Sequence, residues 1–107
     1  MNNIKFKGQG IVTKVWLYGY YLYSCNHAYI ISKDDKKYEV IPDSVTQYTR
    51  SKDRKDIEIY FNDFVKAPSG VIFQVVWDED TMSIKLRNND ELYNFNVGLY
   101  EVVEKVD

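Results

Sequence analysis

The stretch FVKAPSGVIFQVVW, Phe64 to Trp77, decides the fold class. It reads as two strands around Pro68-Ser69-Gly70, because proline presets φ, glycine accepts φ > 0, and branched and aromatic side chains flank the break. In the second run Val71, Phe73, Val75 and Trp77 share one face while Ile72, Gln74 and Val76 share the other, so this strand is expected to be covered on both sides. Just upstream, IEIYFNDFV (Ile57 to Val65) alternates like a half-buried strand but places Asn62 and Asp63 where the strand would continue. That interruption is either an acidic site or a bend. Downstream, MSIKLR sets Met82, Ile84 and Leu86 inward against Ser83, Lys85 and Arg87 outward after the acidic turn Asp78-Glu79-Asp80, which predicts one wet face.

The same signals recur along the rest of the chain. Ile4 and Phe6 alternate with Lys5 and Lys7, and VWLYGYYLYS (Val15 to Ser24) is a long aromatic strand interrupted by Gly19, the mark of a bulge or of another backbone passing close. HAYIIS and KYEVI flank the polar break Asp34-Asp35-Lys36, a hairpin signal. In PDSVTQYT (Pro42 to Thr49), proline at a first-turn position and Asp43 or Ser44 as caps predict one short helical turn. RSKDRKD reads as a charged loop, ELYNFNV as a weak strand, and LYEVVEKV as the last strand. Composition agrees: Val and Ile number twenty-one and Tyr ten, against five Leu and two Ala. The expected fold is mainly β, a small strongly bent antiparallel sheet or SH3-like barrel with one short helical turn. At 107 residues it is the size of one ordinary domain, 1–107.

Charge and motif chemistry exclude more than they assign. A formal net charge of -2 gives no overall attraction for a polyanion, so nucleic acid is not the favoured partner. Cys25 is the sole cysteine, which removes intrachain disulfides and thiolate clusters and fits a reducing cytoplasm. The N-terminus lacks the apolar core of a secretory signal, and no run approaches the ~20 apolar residues that span a bilayer, so no membrane association is expected. Cys25 and His27, two apart, would face the same way on a strand and touch one metal or pair as thiol and imidazole, yet no further Cys or His completes such a site. The acidic tips lack the spacing of a calcium loop, and Asp53 and Asp56 dilute the cations Arg50, Lys52, Arg54 and Lys55. A glycine-rich phosphate loop, paired catalytic carboxylates and a nucleophile elbow are all missing. No enzyme activity, cofactor or metal is expected.

The aromatics are harder to set aside. Val15, Leu17, Tyr21 and Tyr23 fall on one face of their strand and Trp16, Tyr18, Tyr20 and Leu22 on the other, so both faces cannot be solvated polar surface. Either the strand is core on both sides, or Trp16, Tyr18 and Tyr20 form a surface for a partner or for self-association.

Taken together, WLYGYYLYS, VIPDSVTQYT, KDRKDIEIYFNDFV and the closing LYEVV resemble the YopX family of phage and prophage proteins. Its pattern is a W-x-Y-G strand, then V-x-P-E-T-V-G-Q-Y-T-G, then K-D-x-N-G-K-E-I-Y-E-G-D-I-V. Pro42, Val45, Gln47, Tyr48, Thr49, Asp53, Glu58, Ile59, Tyr60, Asp63 and Val65 stand at matching positions. The resemblance implies a β-rich fold with an SH3-like region, a phage or prophage origin in a bacterial host, and no established biochemical activity. Where the pattern has glycine, this chain has Thr46, Arg50, Asp56 and Asn62; Asp56 and Asn62 tolerate a left-handed backbone, whereas Thr46 and Arg50 do not readily. Phe61 replaces a usual acidic residue, and the tail EKVD lacks the usual continuation. On this reading Pro42, Gln47, Thr49, Asp53, Tyr60, Asn62 and Asp63 form a structural motif, with Asn62 standing in for a turn glycine and Asp63 accepting hydrogen bonds at a corner. The expected function is a non-catalytic interaction module for a host or phage protein, or for itself. The alternative is nucleic-acid binding, with aromatics stacking bases and Lys66, Lys85 and Arg87 tracking phosphates.

Overall fold

A computed structural model describes residues 5–96 and 98–103. The chain is mainly β: β1 (Phe6–Gln9), β2 (Trp16–Ser24), β3 (His27–Ile31), β4 (Lys37–Val40), β5 (Thr46–Lys52), β6 (Glu58–Tyr60), β7 (Phe64–Lys66), β8 (Ile72–Asp78), β9 (Ser83–Asn88), β10 (Glu91–Asn94) and β11 (Glu101–Val103). Among the described residues the one helical element is a 3-10 turn at Pro42–Ser44, with proline in its first turn as the sequence predicts. No side chain caps its N-terminus. Instead the Ser44 hydroxyl donates to the Ile41 carbonyl at 2.6 Å and accepts the Gln9 N–H at 2.8 Å, tying the turn to β1. Ile4 and the EKVD tail lie outside the described residues.

Strand order is β4-β3-β2-β1-β5-β6 in one sheet and β10-β9-β8-β7-β11 in the other. Of the two expected forms, a bent antiparallel sheet or an SH3-like barrel, the barrel does not form: the strands make two antiparallel sheets. The first sheet does bend, because a bridge joins Gly10 to Val40 and the Ile41 N–H reaches the Gln9 carbonyl at 2.8 Å. Closure fails because buried side chains collect in two separate clusters, Ala28-Ile30-Val40 and Ile59-Val65-Val75-Leu86-Tyr100, rather than around one axis. The chain correspondingly divides into two compact units that meet in sequence at Tyr48 and Thr49.

In the first unit, Phe6, Leu17 and Val45 pack around Ala28, Ile30 and Val40. Gly8 and Gly19 permit this packing. A Cβ on Gly8 would meet Val40 and Ile30 at 3.0 to 3.2 Å, and a Cβ on Gly19 would lie 2.0 Å from the Ile31 carbonyl oxygen. The glycine inside the aromatic strand therefore marks close passage of a neighbouring backbone, one of the meanings its position carries.

In the second unit, alternation of β7, β8 and β9 sends Val65, Val75 and Leu86 to full burial. Three details differ from the sequence reading. β8 is covered on both sides only along its middle, Phe73 to Val76, since Ile72 and Trp77 toward its ends are exposed. Met82 is 70% exposed and sits in the turn before β9 with φ 54, so the inward face of MSIKLR begins only at Ile84. Arg50, Ser51 and Lys52 belong to β5, because that strand carries on to Lys52 before the chain turns. The hairpin signals at Ser32–Lys36 and Pro68–Gly70 hold, with the Ser32 N–H on the Lys36 carbonyl at 2.9 Å and the Gly70 N–H on the Ala67 carbonyl at 2.9 Å.

Candidate functional site

The IEIYFNDFV interruption is a corner. Asn62 has φ 73, and its N–H donates to the Val75 carbonyl at 2.7 Å while the Asp63 carbonyl accepts the Val75 N–H at 2.8 Å. The Asp63 carboxylate accepts the Tyr60 N–H at 2.8 Å, holding β6 to the start of β7. Tyr60 is buried and its hydroxyl donates to Glu58 at 3.0 Å. Asp63 is thus spent on backbone geometry rather than presented to solvent as an acid.

A second carboxylate works harder. Asp53 is buried and accepts the N–H groups of Lys55 and Ile57 on one oxygen, at 2.8 and 2.9 Å, and that of Val102 on the other at 2.9 Å. Burial pushes its pKa up, but the Val102, Ile57 and Lys55 amides outweigh that and hold it below the ordinary 3.8. One side chain thereby organises the 53–56 turn and clamps β11 to it. Beside it, Arg54 and Lys55 both donate to Glu101, at 2.7 and 2.9 Å, and pull that carboxyl down to about 2. Thr49 is buried, donating to the Ile59 carbonyl at 2.7 Å and accepting the Ser51 N–H at 3.2 Å. Gln47 is exposed opposite Phe6 of β1. Of the seven motif residues, five, Thr49, Asp53, Tyr60, Asn62 and Asp63, are thus engaged in holding the β5–β7 region of the second unit.

Cys25 and His27 do not converge on a site. Ser24 pairs with His27, leaving Cys25 and Asn26 as a two-residue hairpin turn with φ 53 and 66, the doubly left-handed geometry that suits the twist of antiparallel strands. Cys25 therefore stands in a turn, not on a strand, and accepts from the Ser24 hydroxyl at 3.8 Å, whereas His27 Nδ1 lies 2.7 Å from Glu39. Among the described residues, no three His, Cys, Asp or Glu side chains are grouped to hold a metal, and no helix is long and apolar enough to cross a membrane.

The aromatic strand is where the first unit departs from an ordinary core. Leu17 packs against the Ala28-Ile30-Val40 cluster, and the Tyr21 ring lies tilted against Phe6 with centroids 5.6 Å apart. On this Leu17 face Tyr21 and Tyr23, beyond the cluster, are 39% and 56% exposed, while on the opposite face Trp16 is 39% exposed, Tyr18 50%, Tyr20 65% and Leu22 38%. Pairing extends this face across the sheet, because Tyr20 stands opposite Ile31, Leu22 opposite Tyr29, and Tyr29 opposite Glu39. Lysines line it. Lys7 Nζ sits 4.5 Å from the Trp16 ring centroid and Lys37 Nζ 4.7 Å from that of Tyr29. Lys5, one residue before β1, sits 5.4 Å from the Tyr48 ring. Trp16, Tyr18 and Tyr20 are thus brought together, as alternation predicts, while the lysines beside them were not singled out because cross-strand register brings them there.

The other cations named from sequence also share a face. Lys66 pairs with Ile72, and Gln74 with Arg87, so Lys66, Lys85 and Arg87 lie on the outer side of the second sheet. Glu101 and Asp78 share that side by the same register, and Phe64 is its one aromatic among the paired positions.

A scan against models of known protein families finds no match to this chain, and no curated protein matches it.

Proposed function

We propose that this chain is a non-catalytic binding module of the YopX type, of phage or prophage origin and acting in the bacterial cytoplasm, whose working surface is the Trp16 face of β2. The observation that carries it is the row Trp16, Tyr18, Tyr20 and Leu22, all more than a third exposed on one strand of a well-packed sheet. Large apolar rings left in water on one contiguous face are costly unless a partner covers them. Among the described residues, the carboxylates with lowered pKa are already engaged: Asp34 by the Ser32 hydroxyl, Asp53 by three backbone amides, and Glu101 by Arg54 and Lys55.

Two features support the family reading. Arg50, Asp56 and Asn62, three of the four positions where the family pattern has glycine, have φ 69, 68 and 73, so all three adopt the left-handed backbone that glycine accepts most readily. The bridge from Gly10 to Val40, which bends the first sheet back on itself, is compatible with the β-rich fold that the family reading implies.

The sequence reading puts a host or phage protein, or a second copy of the chain, first among partners. Affinity purification of the tagged chain from phage-bearing host cells, with and without nuclease, tests the surface directly. Wild-type protein retains a partner that the Trp16→Ser/Tyr18→Ser/Tyr20→Ser variant loses at an unchanged melting temperature. Equal recovery by both proteins sinks the proposal. A second reading, nucleic acid, is favoured by one observation: the face carries lysines as well as rings.

A further inference from the structure

Resting on the reading of this face as the working surface, we infer that what it binds is single-stranded nucleic acid. Alternate residues of a strand recur about every 6.7 Å, so Trp16, Tyr18 and Tyr20 present a ladder of rings along β2, with Tyr29 beside it on β3. Such a ladder accepts the π-faces of unpaired bases whatever their sequence.

Charge separates this ligand from a protein. Lys7 and Lys37 hold their ammonium groups over Trp16 and Tyr29, and Lys5 holds its own over Tyr48. Glu39, the acid that register places among these rings, is engaged at 2.7 Å by His27. Residues 1–48 contain six lysines against four carboxylates, whereas residues 49–107 contain eight basic against twelve acidic side chains, so the overall charge of -2 conceals a basic unit. Protein–protein interfaces are enriched in Tyr and Trp but depleted in Lys. Rings interleaved with flexible ammonium groups instead match a chain of planar bases joined by phosphates, the lysines swinging from ring to phosphate as bases stack. The cations of the second sheet fit less well, since Lys66, Lys85 and Arg87 share their face with Glu101 and Asp78 and lack a comparable set of rings.

The test is fluorescence anisotropy of a labelled twelve-nucleotide oligothymidine with the full chain between 50 and 200 mM NaCl. Three phosphates neutralised on a single strand give a log–log salt slope of about -2, and Lys37→Gln reduces its magnitude by about 0.7. Tyr20→Ala, at a 65% exposed position, weakens binding by roughly 5- to 150-fold with the melting temperature unchanged. Tyr20→Leu, which keeps apolar bulk but removes the ring, gives the same loss and guards against a folding defect. A duplex of equal length and inorganic polyphosphate each bind at least about tenfold more weakly, because neither offers an unpaired base to a ring. The inference is overturned if the oligonucleotide fails to bind at 50 mM salt, if both Tyr20 variants bind as wild type, or if duplex or polyphosphate binds equally well. If the oligonucleotide fails but nuclease-resistant capture still depends on Trp16, Tyr18 and Tyr20, the inference falls and the binding face stands; loss of both results removes both.

Discussion

Replacing Asp53 by alanine withdraws the acceptor from three backbone N–H groups at once, those of Lys55, Ile57 and Val102. An amide bonded to a charged acceptor contributes ~1.5–3 kcal/mol, but water reaches the exposed turn at Lys55 and Ile57, so about 1 kcal/mol per amide and about 3 kcal/mol in all is the expected loss. For a unit of this size each kcal/mol shifts Tm by ~4–8 °C, giving a fall of roughly 12–24 °C for Asp53→Ala. The comparison is Glu79→Ala, at an exposed turn position, which is expected to move Tm by less than ~3 °C. Circular dichroism melts at pH 7 measure both. Acidity supplies the second axis. Because the folded pKa of Asp53 lies below its ordinary 3.8, its contribution is complete above that value and disappears as pH falls through the folded one. Asp53→Asn keeps one acceptor oxygen and cannot titrate, so its deficit relative to wild type is constant from pH 7 to near 4 and shrinks below. A melt of Asp53→Ala within ~3 °C of wild type at pH 7, or a deficit for Asp53→Asn that is flat down to pH 2, would refute the clamp.

Three further outcomes follow from local geometry. Asp63→Ala removes the acceptor for the Tyr60 N–H and lowers stability by about 1 kcal/mol in urea titration, with the binding face unaffected. Arg50→Gly relieves a left-handed conformation that costs an L-residue ~1–2 kcal/mol, which matches or exceeds glycine's own entropic cost of ~0.5–1 kcal/mol, so it leaves Tm unchanged or higher, while Arg50→Val lowers it by several degrees. The Thr46 hydroxyl is buried without a hydrogen-bond partner among the described residues, so Thr46→Val raises stability by up to ~1 kcal/mol, read from the urea midpoint.

Much of the fold was legible because it is written locally. Alternation put Leu86 inward and Val75 on a covered strand, and both are fully buried, while Asp, Asn, Pro and Gly marked most of the turns. What escaped was either non-local or carried by residues that break the usual preferences. Cys25 and Arg50 occupy left-handed conformations that neither residue advertises, so the sequence pattern hides a hairpin turn at Cys25 and the continuation of β5 through Arg50. The division of the core between Ile30 and Ile59 depends on which strands pair across long separations, a property that spacing alone does not encode. The candidate surface was half legible. Period two aligned Trp16, Tyr18 and Tyr20, but only register brings Lys7 over Trp16 and Lys37 over Tyr29.

The hairpin turn at Cys25 and Asn26 has a practical use. It joins β2, which carries the row of rings, to β3, and it exposes the sole thiol of the sequence. A maleimide dye added to the unmutated protein therefore attaches at one defined point, at the end of the strand that bears the rings. Quenching or polarisation of that dye can report occupancy of the neighbouring surface without any engineered residue, and a reductant in the buffer is needed to keep two such tips from joining through a disulfide.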